Sequence, residues 1–254
     1  MFSGSEWNSI NKIPLKSVFL FSFNNPMPNY LLGTPLAPMK GRAIDEMSDI
    51  FNLFKKYDGQ VLYEIKYDGE RAQIHYNEGE ISSFSRSFES QNEKYINLLT
   101  ELKGHLKSSG IKNCIIDCEI VGFDYTKSQM LSFQELMTKK EKAPQLFEGK
   151  IYFFDLYYLN DQSLIHEPLP TRRNKLLSAF KPTVYFSPAE GFEHDLKAVS
   201  QEETLLQLND FLSEALQQGY EGVFVKVMDK TLSIYNGISR VQWIKVLFLN
   251  CFLI

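Results

Sequence analysis

The 254-residue chain is poor in the residues that let small domains manage without a large core. It has three cysteines (Cys114, Cys118, Cys251) and four histidines (His75, His105, His166, His194). An odd cysteine count without metal-ligand spacing argues against a disulfide framework, and the scattered histidines give no pattern for a zinc site. Reduced core thiols in an intracellular protein are the expectation. No stretch approaches the roughly 20 apolar residues of a membrane span. The start MFSGSEWNSINKIPLKSVFLFSFNN lacks a sustained apolar core and a small-residue cleavage site, so no secretory leader is expected. Repeats and low-complexity tracts are missing too. So is an excess of positive charge: the formal net charge is −4, which counts weakly against a nucleic-acid partner. That average hides an asymmetry. The segment Phe186 to Gly222 carries Glu190, Glu193, Asp195, Glu202, Glu203, Asp210, Glu214 and Glu221 against Lys197, which leaves the remainder slightly basic.

What is present is the material of an ordinary globular domain, 44% hydrophobic and 23% charged, long enough to bury a substantial core. Residues 1–32 show no clear periodicity and are expected to form an irregular lead-in. Apolar residues at helical spacing predict helices over Ala43–Lys56, Gln91–Leu106, Ser132–Lys140 and Glu202–Gln217. Strands are predicted at Val61–Lys66, Glu70–Tyr76, Glu80–Ser85, Cys114–Phe123, Ile151–Tyr157, Gly222–Val227 and Val241–Leu247. Asn77-Glu78-Gly79 supplies a hairpin turn between the second and third of these. Strand runs interrupted by single helices indicate an α+β domain with antiparallel sheets.

The most informative run is Glu64-Ile65-Lys66-Tyr67-Asp68-Gly69-Glu70-Arg71. It puts a lysine at the end of one apolar strand and an arginine at the start of the next, with the tight Asp68-Gly69 turn holding both near one pocket. A lysine attacks phosphorus only when neutral. Its reference pKa of about 10.4 makes deprotonation at pH 7 cost roughly 4–5 kcal/mol, which a desolvated or cation-rich pocket can supply. Taken alone, K-x-D-G fits a surface hairpin of mixed charge equally well.

The rest of the chain tips that balance. Lys66-Tyr67-Asp68-Gly69-Glu70-Arg71-Ala72-Gln73-Ile74-His75 resembles the nucleophile motif of eukaryotic-type ATP-dependent DNA ligases, and five further blocks match that family in order. They are Phe84-Ser85-Arg86-Ser87, Ile116-Asp117-Cys118-Glu119, Phe153-Phe154-Asp155-Leu156, Glu221-Gly222-Val223-Phe224-Val225-Lys226 and Trp243-Ile244-Lys245. Gly33-Thr34-Pro35-Leu36-Ala37-Pro38-Met39 resembles the family's entry into this domain, and Phe133-Gln134 and Pro168-Leu169-Pro170-Thr171-Arg172-Arg173 match secondary landmarks.

The resemblance implies an adenylation domain over residues 33–247. Its expected fold is the nucleotidyltransferase (ATP-grasp-like) fold, with two antiparallel β-sheets lining an ATP cleft and helices flanking them. It also implies roles. Lys66 would attack the α-phosphate of ATP and hold AMP. Glu64 would accept a hydrogen bond from the adenine amino group, Phe154 would stack on the ring, and Glu119 would bind the ribose hydroxyls. Arg71 would bind the ribose or a nearby phosphate, with Lys226 and Lys245 near the α-phosphate. Arg86 would grip the 5′-phosphate of nicked double-stranded DNA, and Glu221 would help hold Mg2+. A monomer working in the nucleus completes the family expectation.

The match departs from the family at Trp243-Ile244-Lys245-Val246-Leu247, where leucine stands in place of a second phosphate-contacting lysine. Residues 248–254 are expected to be an apolar tail, with neither the oligonucleotide-binding barrel after it nor a helical DNA-binding domain before Gly33. Two other readings follow: a catalytically impaired ATP- or DNA-binding ligase fragment, and an mRNA-capping or RNA-ligating relative sharing K-x-D-G. Ala72-Gln73-Ile74-His75 and the Trp243 block favour the DNA ligase.

Overall fold

The computed structural model describes residues 32–39, 41–44, 50, 59–131, 135, 148–230, 232 and 243–247. In chain order these hold β1 (Arg42–Ala43), β2 (Gln60–Lys66), β3 (Glu70–Asn77), β4 (Glu80–Phe84), α1 (Ile96–Ser108), β5 (Asn113–Asp124), β6 (Gln129–Met130), β7 (Gly149–Leu159), β8 (Gln162–Ser163), α2 (Leu169–Ala179), β9 (Phe186–Pro188), β10 (Gly191–Asp195), α3 (Gln201–Gln217), β11 (Gly222–Val227) and β12 (Trp243–Leu247). All seven strands expected from the sequence are there. The helix expected from Ala43 does not start there, because Ala43 pairs with Lys245 in β1; the rest of Ala43–Lys56 and of Ser132–Lys140 lies for the most part outside the described residues, as do the lead-in and the tail.

Two sheets form. The first has the order β1-β12-β11-β2-β10 and the second β4-β3-β5-β7-β8, with β6 on β5 and β9 on β7. Pairing is antiparallel throughout except β1 with β12 and β9 with β7. The hairpin between β3 and β4 turns on Glu78 and Gly79, both at positive φ (46° and 96°), as a two-residue loop matched to strand twist requires.

Alternation along the strands assigns the faces. In the first sheet Val61, Tyr63, Ile65, Val223, Val225, Val227, Ile244 and Val246 pack under Leu208, Leu212 and Ala215 of α3. The opposite face carries Glu64, Lys66, Phe224, Lys226, Trp243 and Lys245. In the second sheet Ala72, Ile74, Tyr76, Ile116 and Cys118 pack beneath Leu98, Leu99, Leu102 and Leu106 of α1. Cys114 and Cys118 are buried free thiols in this layer. Helix α1 starts at Ile96, later than its apolar spacing suggests, because Ser83 of β4 tethers the preceding residues. Its N–H donates to Asn92 Oδ1 at 2.7 Å and its carbonyl accepts from Gln91 N–H at 2.9 Å.

Helix α2 was not expected from the sequence. Its buried residues are Leu169, Arg172, Arg173 and Leu176, so half of its inward face is cationic and an apolar-periodicity search passes over it. It links the layers. Leu169 packs on Leu62 and Met228 of the first sheet's side, while Leu176 and Phe180 join the core beneath α1.

Both faces of β3 are covered, because the segment Gly33–Met39 lies along the side facing the first sheet. Gln73 and His75 clasp it. Gln73 Oε1 accepts from Leu36 N–H at 2.6 Å, and its Nε2 donates to the Leu36 carbonyl at 3.2 Å. His75 Nδ1 accepts from Gly33 N–H at 2.9 Å, which leaves Nε2 to carry the proton and donate to Gln73 Oε1 at 3.0 Å. The imidazole is therefore neutral, and burial pushes its pKa down to about 3.

Folding thus excludes a proton that the unfolded chain binds near pH 6.5, so His75 contributes stability above that pH and loses it as pH falls toward 3. Between pH 7 and pH 5 the wild type is expected to lose about 2 kcal/mol relative to His75→Gln, which lacks the titrating ring. Urea unfolding of both proteins across that range measures the difference. Parallel stability curves would contradict the neutral clasp.

Candidate active site

The chain crosses from the first sheet to the second through Tyr67-Asp68-Gly69, between the last residue of β2 and the first of β3. Glycine is required here by space. A Cβ on Gly69 would lie 2.4 Å from the Ile120 carbonyl oxygen of β5 and 2.8 Å from a Val121 methyl. Tyr67 fixes the crossing from the other side. Its ring stacks on Tyr152 with centroids 3.8 Å apart, and its hydroxyl accepts from Glu190 N–H at 3.1 Å.

Around this seam the register lays out a lattice of side chains. Glu64 pairs with Phe224, and Phe224 with Lys245. Lys66 pairs with Gly222, and Gly222 with Leu247. Glu64, Lys66, Phe224, Lys226, Trp243, Lys245 and Leu247 therefore share one face. Gly222 carries no side chain between Lys66 and Leu247 in this row. The strand contact demands it, since a Cβ there would meet the Val246 carbonyl oxygen at 2.2 Å.

The Lys66 ammonium is paired with the Glu221 carboxylate and lies 5.8 Å from the Phe224 ring centroid. Opposite, on the second sheet, Glu119 stands beside Arg71 in the register. Burial pushes the Glu119 carboxyl up to about 8; Lys66 and Arg71 pull it back, while Asp117 and Glu221 push it further. Arg71 donates through Nη2 to Asp117 Oδ2 at 2.7 Å, and Tyr157 donates its hydroxyl to the same oxygen at 2.6 Å. The remaining Arg71 nitrogens, Nε and Nη1, are buried without a hydrogen-bond partner. Unused buried guanidinium donors suit an oxygen-rich ligand such as a ribose or a phosphate.

Deeper in the cleft Glu64 is engaged on both carboxylate oxygens. Lys226 donates to its Oε1, and Arg173 Nη1 donates to Oε2 at 3.1 Å. Burial raises the Glu64 carboxyl and lowers the Lys226 ammonium against their mutual attraction. Phe154, half-buried on β7, sits edge-on to Trp243 with centroids 6.0 Å apart. The neighbouring Arg172 grips Asp155 through Nε (2.7 Å) and Nη2 (2.9 Å) and donates Nη1 to the Glu167 carbonyl at 2.7 Å.

The residues singled out in the sequence thus mostly converge. Glu64, Lys66, Arg71, Glu119, Phe154, Lys226, Lys245 and Glu221 line the two facing sheets or the seam. Arg86 stands apart, exposed in the turn after β4. Three neighbours had been given no role: Phe224, Asp117 and Arg173. Phe224 alternates with Lys226 along β11, which was a readable signal. Asp117 and Arg173 lie inside quoted blocks but act through partners distant in sequence. Among the described residues no group of three or more His, Cys, Asp and Glu is placed to hold a metal ion. Glu221 and Glu119 are the acids beside Lys66.

Two facing sheets with a lysine at their seam define a nucleotidyltransferase fold, and solved structures share it. Mycobacterial DNA ligase D complexed with ATP and MES matches at a TM-score of 0.55 with 20% identity, covering 76% of this chain and 56% of that one. An archaeal ATP-dependent RNA ligase matches at 0.52 with 18% identity, covering 83% and 48%. At such identities the likeness is one of fold, which DNA and RNA ligases have in common. Sequence is more specific. The family described as ATP dependent DNA ligase domain matches residues 38–246, and the chain belongs to that family. DNA ligase 1 of Drosophila melanogaster is 36% identical over 219 residues, 84% of this chain and 28% of the relative. A DNA ligase of Saccharolobus solfataricus is 33% identical over 221 residues, 85% and 34% respectively. The chain thus spans about a third or less of the length of these relatives.

The Arg172–Asp155 pair anchors α2, and through it Arg173, against the cleft. Arg172→Met should cost about 3–5 kcal/mol by leaving the Asp155 carboxylate buried and unpaired. Adding Asp155→Asn should recover part of that loss. Denaturant unfolding of both variants tests the point; a double variant no better than the single would show that the ion pair is not what anchors the helix.

Proposed function

We propose that the chain is the lysine-adenylating part of an ATP-dependent DNA ligase, formed by residues 33–247. Neutral Lys66 attacks the α-phosphorus of ATP. A phosphorus–nitrogen bond forms as the bond to the bridging oxygen breaks, and pyrophosphate leaves. AMP then passes to the 5′-phosphate of a nick in duplex DNA, and the 3′-hydroxyl finally displaces it.

The observation that carries the reading is the surroundings of Lys66. Its ammonium is paired with Glu221 at the seam of two sheets, facing Glu119 and an Arg71 with unused donors. Glu221 is in place to accept the proton that Lys66 must lose. Arg71 and Glu119 offer a donor and an acceptor for the ribose and the phosphate next to it, with Phe154 and Glu64 for the adenine. Lys226 and Lys245 supply positive charge for the α-phosphate, where fixed cations stabilise charge that develops in the transition state. Glu221, once it has passed the Lys66 proton on to solvent, would also supply a carboxylate oxygen to help hold Mg2+, which would neutralise charge on the nucleotide phosphates. Arg86, exposed on the turn after β4, would take the nick 5′-phosphate with its planar pair of donors. We assign the work to a monomer in the nucleus on the family resemblance.

With labelled ATP, a denaturing gel should show an acid-labile AMP adduct on the wild type. Lys66→Ala should abolish it without changing the unfolding midpoint. Lys66→Arg should abolish it too, because a guanidinium stays protonated. Undiminished labelling in either variant would sink the assignment. GTP in place of ATP, and RNA ends in place of nicked DNA, distinguish the capping and RNA-ligating alternatives.

Leu247 stands in one row with Lys66, with Gly222 between them, so Leu247→Lys should place an ammonium beside the α-phosphate and speed single-turnover adenylation by about tenfold. An unchanged rate would show that this position does not reach the phosphate.

A further inference from the structure

The loop after β4 presents a phenylalanine under two costs at once. Phe88 is 38% exposed and stands at a φ of 70°, in the left-handed region that glycine and asparagine suit and a bulky ring does not. Neither an exposed ring nor that backbone favours the fold, and residues held in such conformations gather at functional sites. The loop is nevertheless built to keep this shape. Ser85 takes the N–H groups that follow it: Ser87 and Glu89 donate to its Oγ at 3.2 and 3.1 Å, and Phe88 donates to its carbonyl at 3.0 Å. Its own N–H donates to the Glu89 carbonyl at 2.8 Å, which closes the loop. Arg86, Ser87 and Phe88 form the tip.

We infer that Phe88 is a stacking residue for nicked DNA, packing its ring against the nucleotide whose 5′-phosphate Arg86 holds. The inference rests on the adenylation reading, and on Arg86 taking that phosphate. Three features support it. The tip lies at the seam end of the cleft: β4 ends with Phe84 opposite Gln73, two residues short of the row in which Arg71 pairs with Glu119. Arg86 and Phe88 are both exposed and two residues apart, so their backbones are separated by at most about 7 Å. A cation and a flat ring at that spacing match a phosphate and the sugar or base attached to it. The Ser85 latch orders the tip beforehand, so little freedom is lost when DNA docks. A nick suits such a ring. One strand has no covalent link across that step, so opening it to an aromatic face costs less than in intact duplex. Every base has such a face to offer, so the contact reads the break and not the sequence.

Duplexes of one sequence, intact or nicked, with and without phosphate at the nick, separate a base contact from a phosphate contact. Their binding to the adenylated full chain is followed by fluorescence anisotropy in EDTA, so that no AMP is transferred. Phe88→Asn, which suits the same φ, should weaken binding to the nicked duplex by about tenfold. It should keep the wild-type preference for a phosphorylated over an unphosphorylated nick, because stacking does not touch the phosphate. Arg86→Ala should erase that preference. Phe88→Trp should bind as the wild type does, and nicked duplex should quench its emission beyond any change seen in the wild type.

Equal affinity of Phe88→Asn and wild type for the nicked duplex overturns the proposal, as does Phe88→Trp emission that nicked DNA leaves unchanged. Loss of the phosphate preference in Phe88→Asn would mark Phe88 as a brace for the loop and overturns it too. Should Phe88→Asn fail to fold, the emission of Phe88→Trp decides alone. A wild type that labels at Lys66 yet binds nicked and intact duplex alike defeats the stacking and leaves the adenylation reading standing. A chain that never labels at Lys66 defeats both.

Discussion

The structure depends on the close approach between the crossing strand and β5 at Gly69. With the Ile120 carbonyl 2.4 Å from where a side chain would begin, the backbone can pass from one sheet to the other only with glycine at that point. This contact places Lys66 and Arg71, the last and nearly the first residues of consecutive strands, on opposite walls of one cleft. Tyr67 wedges against Tyr152 and Glu190 to hold the crossing from behind. The cleft is thus a product of one tight connection, and its chemistry follows from which residues flank that connection.

The walls are charged, and buried charge is expensive unless paired. The chain meets this with a set of interlocked partners: Lys226 and Arg173 on Glu64, Asp117 and Tyr157 around Arg71, Asp155 on Arg172. Lys226–Glu64 lies within the first sheet and Arg71–Asp117–Tyr157 within the second, while α2 reaches both, through Arg172 on Asp155 and Arg173 on Glu64. Helix α2 makes the case most clearly. It contributes two arginines inward, one to the scaffold at Asp155 and one to the cleft at Glu64.

Legibility in the sequence followed the physics of burial. Strands such as β2 and β11 were readable to within a residue, because the face they turn to α3 is wholly apolar while the other carries the charged residues of the cleft. The strand β3 alternated as expected, but Gln73 and His75 on its second face proved buried and engaged with the Gly33–Met39 segment, a polar clasp that periodicity reads as solvent-facing. Helix α2 went unread because arginines replace apolar residues on its inner face. Edge strand β10, Gly-Phe-Glu-His-Asp, is largely exposed and carries no core signature. For the site, resemblance supplied the residue identities. It could not supply their partners: Glu64 paired with two cations, or Arg71 with donors to spare.

The joint between the sheets also has a mechanical side. Two plates linked at a short connection swing about it, and displacement grows with distance from the pivot. Lys66 and Arg71 sit at the pin. Trp243 lies two strands away and four residues further along β12 from the Lys66 row, out on the blade. Any opening about that pin would move the nucleophile least of all, and at the far end it would have to part Trp243 from Ile115, Tyr157 and Tyr158 of the facing sheet, as shears gape at the tips while the metal beside the rivet hardly shifts.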